Sequence, residues 1–251
     1  MYEFDKWCIV YDFADLKMSD MIKCGIDIRA LGKHAKNMED AANDVVNYFF
    51  ENFVDKDTGE KSCIQVRLFK THNADELPPD LQDFAKKMLH KKTKSKSYKC
   101  LTLLGSTGVE DSWKDRKNSV GHQAIPLPSK EVLNCIPMMR NLVKQMGLDV
   151  ETVINPDPDL LTDLSQKTYN VFHVPDALNS PYIPAQDDFV KKYGIKSVFG
   201  FGSILPSGNV FTLIIFSKVK VDYETANLFN TLALNVKMLI MPFEDNVFRD
   251  N

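Results

Sequence analysis

The sequence predicts an α+β fold, a central antiparallel sheet flanked by helices, with the first strong helix packed against the last. Three observations carry this expectation. Residues 193–205 and 210–221 are β-rich runs separated by Pro206, Ser207, Gly208 and Asn209, the composition of a hairpin turn. Strands and helices interleave, but the connections between strands are too varied for repeating βαβ units, which disfavours a parallel sheet. Two segments are amphipathic: Met38, Ala41, Ala42, Val45, Val46, Phe49, Phe50 and Phe53 recur at helical spacing, as do Thr225, Phe229, Leu232, Val236 and Leu239 between Tyr223 and Met241.

In chain order, residues 1–36 form a lead-in that could be helical from Ser19, interrupted at Gly25 and Gly32. Asn37 caps the helix that follows. Ile64, Val66 and Leu68 alternate with Gln65, Arg67 and Phe69 in a first strand. Pro78 and Pro79 open a second helix with Leu81, Phe84, Ala85, Met88 and Leu89 as its buried stripe. The basic run at 90–96 reads as a solvated loop. A second strand from Tyr98 stops at Gly105. Ser129 caps a helix over 130–147, kinked at Pro137 and ended by Gly147. A short helix near 160–166, a strand over 168–174 and a Pro-rich loop over 175–185 lead to the hairpin. The expected organisation is a lead-in at 1–36, one domain at 37–243 and a tail at 244–251.

Composition narrows the function classes. Lys plus Arg total 31 against 34 for Asp plus Glu, a net charge of −3, so no basic footprint points to nucleic acid. Hydrophobic residues make up 44% of 251, enough for a sizeable core, yet no apolar run approaches the ~20 residues of a membrane span. The N-terminus carries no secretory pattern, which makes the cytoplasm the expected location. Five cysteines, Cys8, Cys24, Cys63, Cys100 and Cys135, stand far apart without a Cys-x-x-Cys pair, disfavouring a disulfide framework or a zinc site. The sequence shows no phosphate-binding glycine loop, no His-Glu-x-x-His and no Gly-x-Ser-x-Gly, so the expectation is a protein that is not an enzyme.

Tyr193 to Val198, the turn through Gly208, the strand at 210–216 and the closing helix with Leu232, Ala233 and Leu234 resemble the C-terminal half of a GAF domain. Gly105 to Ser129, Asn170 to Pro175, Ser180 to Gln186 and Phe199 to Gly202 resemble the N-terminal sensory region of bacterial sensor histidine kinases and related signalling proteins. The resemblance covers about residues 38–243. It implies a PAS-related sheet with a small-molecule pocket between the sheet and the loops on one face, and signalling through terminal helices that dimerise. The matching helices here are 38–53 and 223–241, the expected homodimer interface. No output domain follows Phe243, so the expected output lies in a separate kinase or other partner, or the module has been cut from a longer protein. One enzyme class of this fold reduces free methionine sulfoxide with clustered cysteines; Cys63, Cys100 and Cys135 depart from that arrangement.

Candidate ligand-binding residues follow from local chemistry. Gly121 and the Ile125-Pro126 pair fix the backbone around His122 and Gln123, which suits a pocket wall. His122 could meet an anion, act as acid or base, or ligate haem iron, against the plainer reading of a hydrogen-bonded loop histidine. Trp113 and Arg116 offer a stacking surface and a fixed charge, or else core packing and a salt bridge. His173, in an alternating strand, ranks below His122 and is the second candidate for haem. Tyr182 and Gln186, with Asp176 and Ser180, lie on a Pro-stiffened loop that could lid a pocket or cover the sheet. Phe199, Phe201 and Ser203 alternate on a strand and could form the cavity floor or the core. The overall expectation is a small-molecule sensor, with a haem-bound gas or redox sensor, a ligand-free dimerisation scaffold and a thiol-dependent enzyme as alternatives.

Overall fold

The computed structural model describes residues 10–89 and 97–249; the basic loop at 90–96 and Cys8 lie outside the described residues. Six strands form one antiparallel sheet in the order β3-β2-β1-β6-β5-β4. They are β1 (Cys63–Asn73), β2 (Lys99–Gly108), β3 (Ala124–Leu127), β4 (Phe172–Val174), β5 (Ser197–Ile204) and β6 (Val210–Ser217). The hairpin between β5 and β6 turns through Gly208, whose φ of 79° lies in the left-handed region open to glycine. Both predicted strands at 64–69 and from Tyr98 extend further than the pattern indicated. β2 runs through Gly105 because that glycine marks a close approach rather than a turn: a Cβ there would lie 2.5 Å from the Ala42 carbonyl oxygen. The Ile125-Pro126 pair, expected in a loop, forms the edge strand β3, where a missing N–H is tolerated.

One face of the sheet is covered by helices α1 (Met18–Leu31) and α2 (Met38–Asn52) and the C-terminal helices. Asn37 caps α2 as its sequence predicts, its side-chain oxygen accepting from Asp40 N at 2.8 Å. α1 is unbroken at Gly25, where the absent side chain makes room for Asn235; a Cβ would lie 2.9 Å from its amide nitrogen. Met21, Cys24 and Ile28 of α1, with Tyr11 and Phe13 before it, enter the same core as α2.

α3 (Pro79–Met88) packs at the β2–β3 end of the helix-covered face, on Cys100 and Ala124, whereas α4 (Lys130–Asn134), α5 (Pro137–Met146), α6 (Val150–Ile154) and α7 (Leu161–Gln166) lie over the opposite face. The single kinked helix expected over 130–147 is two helices. Pro137 occupies the first turn of α5 and Ile136 adopts extended geometry before it, the usual effect of proline on its predecessor. Gly147 ends α5 in the left-handed conformation, φ 71°, as expected.

The closing helix expected over 223–241 is also interrupted. α8 (Tyr223–Leu228) and α9 (Ala233–Ile240) are joined by a 3₁₀ turn at Phe229–Leu232. Thr231 hydroxyl donates back to the Leu228 carbonyl, a local bond that competes with the α-helical ladder. The turn drives Phe229 into the helix-side core, where its ring centroid lies 4.9 Å from Phe199, 5.5 Å from Phe53 and 6.0 Å from both Phe13 and Phe49. α2 and α9 therefore meet within one subunit, and the apolar stripe of α2 is spent on the sheet. The segment after α9 is strapped over the start of α2. Met38 N and Glu39 N donate to the carbonyls of Asn246 and Val247, and Arg249 Nε donates to Asp40 at 2.7 Å.

Phe229→Ala is expected to lower unfolding free energy by about 3–5 kcal/mol, as for other buried phenylalanines. Urea denaturation followed by circular dichroism checks this; a loss below about 1 kcal/mol would show that the aromatic cluster is not the centre of the helix-side core.

Candidate functional site

The sheet's second face is only partly filled. Between it and the overlying segments lies a cavity of about 430 Å³, within the ~300–1,000 Å³ span of small-molecule sites. Its floor is made by Gln65, Arg67 and Phe69 of β1, Leu101 of β2, Ile125 of β3, and Ile214 and Phe216 of β6. One wall comes from Met139 and Leu142 of α5, another from residues 112–122, and a third from Ile183, Pro184, Ala185 and Phe189.

The floor residues owe their direction to a bulge. β1 pairs with β6 as Cys63 with Ser217 and then Gln65 with Phe216, so Ile64 is an extra residue. Cys63 faces the helix-side core, while beyond the bulge Gln65, Arg67 and Phe69 face the cavity and Val66 and Leu68 the helices. β1 has neighbours on both edges and cover on both faces, so polar side chains placed there leave water. Gln65 is 2% exposed and Ser119 7% exposed. Gln65 Nε2, Arg67 Nε and Ser119 Oγ are buried without a hydrogen-bond partner from the protein. Burial pushes the Arg67 guanidinium down to about 10. Among the described residues no carboxylate pairs with it, and the cavity wall holds no Asp or Glu.

Trp113 and His122 line this cavity. Trp113 packs edge-on against Phe189 and Tyr193, with centroids 5.6 and 4.8 Å away, and its ring lies over Gly108, where a Cβ would approach to 2.6 Å. His122 stands in the mouth, accessible to solvent yet crowded by protein. Desolvation, and secondly the charge of Arg67, lower its pKa to about 4, so its ring is neutral at pH 7.

The other sequence candidates lie elsewhere, each for a physical reason. Arg116 sits on the 112–122 segment but turns to the helix side, forming a buried ion pair with Glu39 of α2 beneath the Phe248 ring. Gln123 braces the same loop, its amide donating to the Lys117 and Ser119 carbonyls at 2.9 and 2.8 Å. His173 Nε2 donates to the Val221 carbonyl at 2.9 Å and its backbone N–H to Gln145, which leaves that nitrogen committed and unsuited to iron. Gln186 ties the 177–186 loop together, accepting from Asn179 N at 2.7 Å and donating to the Ala177 and Ile183 carbonyls. Tyr182 packs against the cavity-side core without reaching the cavity wall.

Phe199 and Phe201 point to the helices, not the cavity, because strand alternation gives the other face of β5 to Val198, Gly200, Gly202 and Ile204. Ser203 shares their face and borders a second recess of about 690 Å³ beside α9. That recess is larger, but its buried cation, Lys237, already donates to the Ile204 and Ser165 carbonyls. The smaller cavity, with its unpartnered donors, is the stronger candidate. Gln65 and Arg67 are not among the sequence candidates; the signal was a glutamine and an arginine interleaved with Ile64, Val66, Leu68 and Phe69 in the first half of β1.

Cys24, Cys63 and Cys100 are buried, and desolvation raises each thiol above its ordinary range. Among the described residues no group of three or more His, Cys, Asp or Glu is placed to hold a metal, and no helix is long and apolar enough to cross a membrane.

The six-stranded antiparallel sheet, with terminal helices on one face and a cavity under loops on the other, is a GAF-like fold. No family model and no curated protein sequence matches the chain. Among solved structures it is similar to free methionine-R-sulfoxide reductase from Neisseria meningitidis in complex with its substrate, at 12% identity and TM-score 0.49, covering 94% of this chain and 95% of that one. It is also similar to the GAF domain of a phosphoenolpyruvate-protein phosphotransferase from Coxiella burnetii, at 14% identity and TM-score 0.44, covering 90% and 95%. A third is the phycocyanobilin-bound GAF domain of a cyanobacterial phytochrome, at 9% identity and TM-score 0.40, covering 91% and 96%. The first of these is an enzyme, which corrects the expectation, drawn from missing motifs, that the chain is not one.

His122 is expected to titrate near pH 4 in the folded protein by NMR, and Arg67→Met to raise that midpoint by removing a nearby positive charge. The unfolded histidine, near 6.5, takes up a proton that the folded one refuses, so stability falls as pH drops from 6.5 towards 4. A folded midpoint at or above 6.5 would place His122 outside the cavity mouth.

Proposed function

We propose that this chain is a small-molecule-sensing domain whose ligand enters the cavity between the sheet and residues 112–122 and 183–189. The observation that carries the reading is a largely apolar chamber of ligand size whose lining includes Gln65, Arg67 and Ser119, each with a donor that no protein group satisfies. The neighbouring GAF domain that holds phycocyanobilin accords with it.

The same segment that walls the cavity also supports a route for the signal. His122 and Ser119 face the chamber, while Arg116, three residues before Ser119, grips Glu39 in the first turn of α2. Glu39 in turn accepts from Arg249 N at 2.7 Å. Ligand that orders residues 112–122 differently would shift the packing of α2 and the C-terminal strap, which is the differential contact a switch requires.

The proposed dimer uses a different surface from helix α2, whose stripe is buried. Ile22 and Ile26 of α1, 61% and 55% exposed, and Leu234 and Met238 of α9, 64% and 51% exposed, are apolar side chains open to solvent on two helices that pack together. A second copy apposing these side chains would bring the terminal helices of two subunits together.

Native mass spectrometry of freshly purified protein tests both parts. The expected result is a dimer with a small-molecule adduct, converted to monomer in Ile22→Lys/Leu234→Glu with unchanged circular dichroism. A monomeric wild type would remove the dimer, and a chamber that stays empty across cell extracts would count against sensing.

A further inference from the structure

Resting on the reading of the cavity as a ligand site, we propose that the molecule it takes is a small apolar or aromatic compound bearing a single carboxylate, which the unpartnered donors of Gln65, Arg67 and Ser119 in the lining capture. Arg67 Nε can only donate, Gln65 Nε2 donates, and the Ser119 hydroxyl can donate; all three are buried, and no protein acceptor reaches any of them. A buried donor left unmade is costly, so a matching group must be rich in acceptors. A carboxylate has two oxygens with room for several donors and suits the planar fork of a guanidinium.

Charge narrows the class further. The guanidinium stands in a half-open, largely apolar chamber whose lining includes no Asp or Glu to neutralise it. An uncharged ligand would leave that charge uncompensated. A phosphate ester would bring nearly two negative charges, and the lining answers with one arginine, no lysine and a neutral His122. One negative charge is what the wall balances. The remainder of the molecule meets Trp113, Phe189, Phe216, Ile125, Met139 and Leu142, surfaces that reward an aromatic ring or a short alkyl chain. His122, close enough to feel the Arg67 charge, stands in the mouth on the side of the capturing groups.

Isothermal titration of the full chain with octanoate and 3-phenylpropanoate, against octan-1-ol and 3-phenylpropan-1-ol, tests the inference, with benzyl phosphate as a further probe. The expected result is that an acid binds at least about tenfold more tightly than its alcohol, and that Arg67→Met abolishes the difference while the alcohol affinity stays within about threefold. Arg67→Lys should keep part of the preference, because the charge remains without the fork. Circular dichroism establishes that the variants fold, and Ser119→Ala, which removes only a hydroxyl, provides the same comparison should Arg67→Met not fold. Acid and alcohol binding alike, with no dependence on Arg67, would overturn the carboxylate and leave the cavity standing as a ligand site. Tighter binding of benzyl phosphate would overturn it in favour of a phosphate. Binding of no probe at all would overturn both the carboxylate and the ligand site.

Discussion

The bulge at Ile64 is the constraint on which the two-sidedness of this molecule depends. A strand alternates its side chains with a period of two, and one extra residue reverses the assignment of everything beyond it. With the bulge, Cys63, Val66 and Leu68 serve the helix-side core, while Gln65, Arg67 and Phe69 form a cavity floor. Without it, either Arg67 would be driven among the phenylalanines or Cys63 would leave them. A second offset, at Leu104 of β2, keeps both Leu104 and Gly105 on the helix side, where α2 lies against the strand.

The two faces are closed by different means. On the helix side, Phe49, Phe53, Phe199, Phe201 and Phe229 are fully buried in mutual contact, and long apolar stripes leave little space between them. On the other side, short helices and turns are held by local bonds, such as the Gln186 ties across residues 177–186 and the Gln123 ties across 117–119. Pieces of that size tile a sheet less completely than long helices, and the gap they leave is the cavity. The sheet is thus covered densely where the terminal helices attach and loosely over the cavity.

The buried Arg116–Glu39 pair joins these halves. Such a pair is weak evidence for stability, since desolvation offsets much of the attraction, but removing one partner leaves a buried charge and is severe. Its position gives it another consequence. It ties one end of the cavity segment to the first turn of α2 and, through Glu39, to the C-terminal strap.

By itself the sequence determined the elements with strong local signals: helix α2 with its Asn37 cap, the β5–β6 hairpin with its Gly208 turn, the Gly147 stop, and hence the α+β class and antiparallel sheet. It also singled out Trp113 and His122, because a glycine and a proline beside a histidine are visible in the chain. What only the tertiary structure decided is which face each side chain serves. Phe199 and Phe201 belong to the core and Arg67 to the cavity because a bulge and the register between distant strands assign them. Arg116 is neutralised by a residue 77 positions away. Local chemistry specifies turns, caps and amphipathic stripes, whereas a strand covered on both faces carries no solvent side from which its direction can be read.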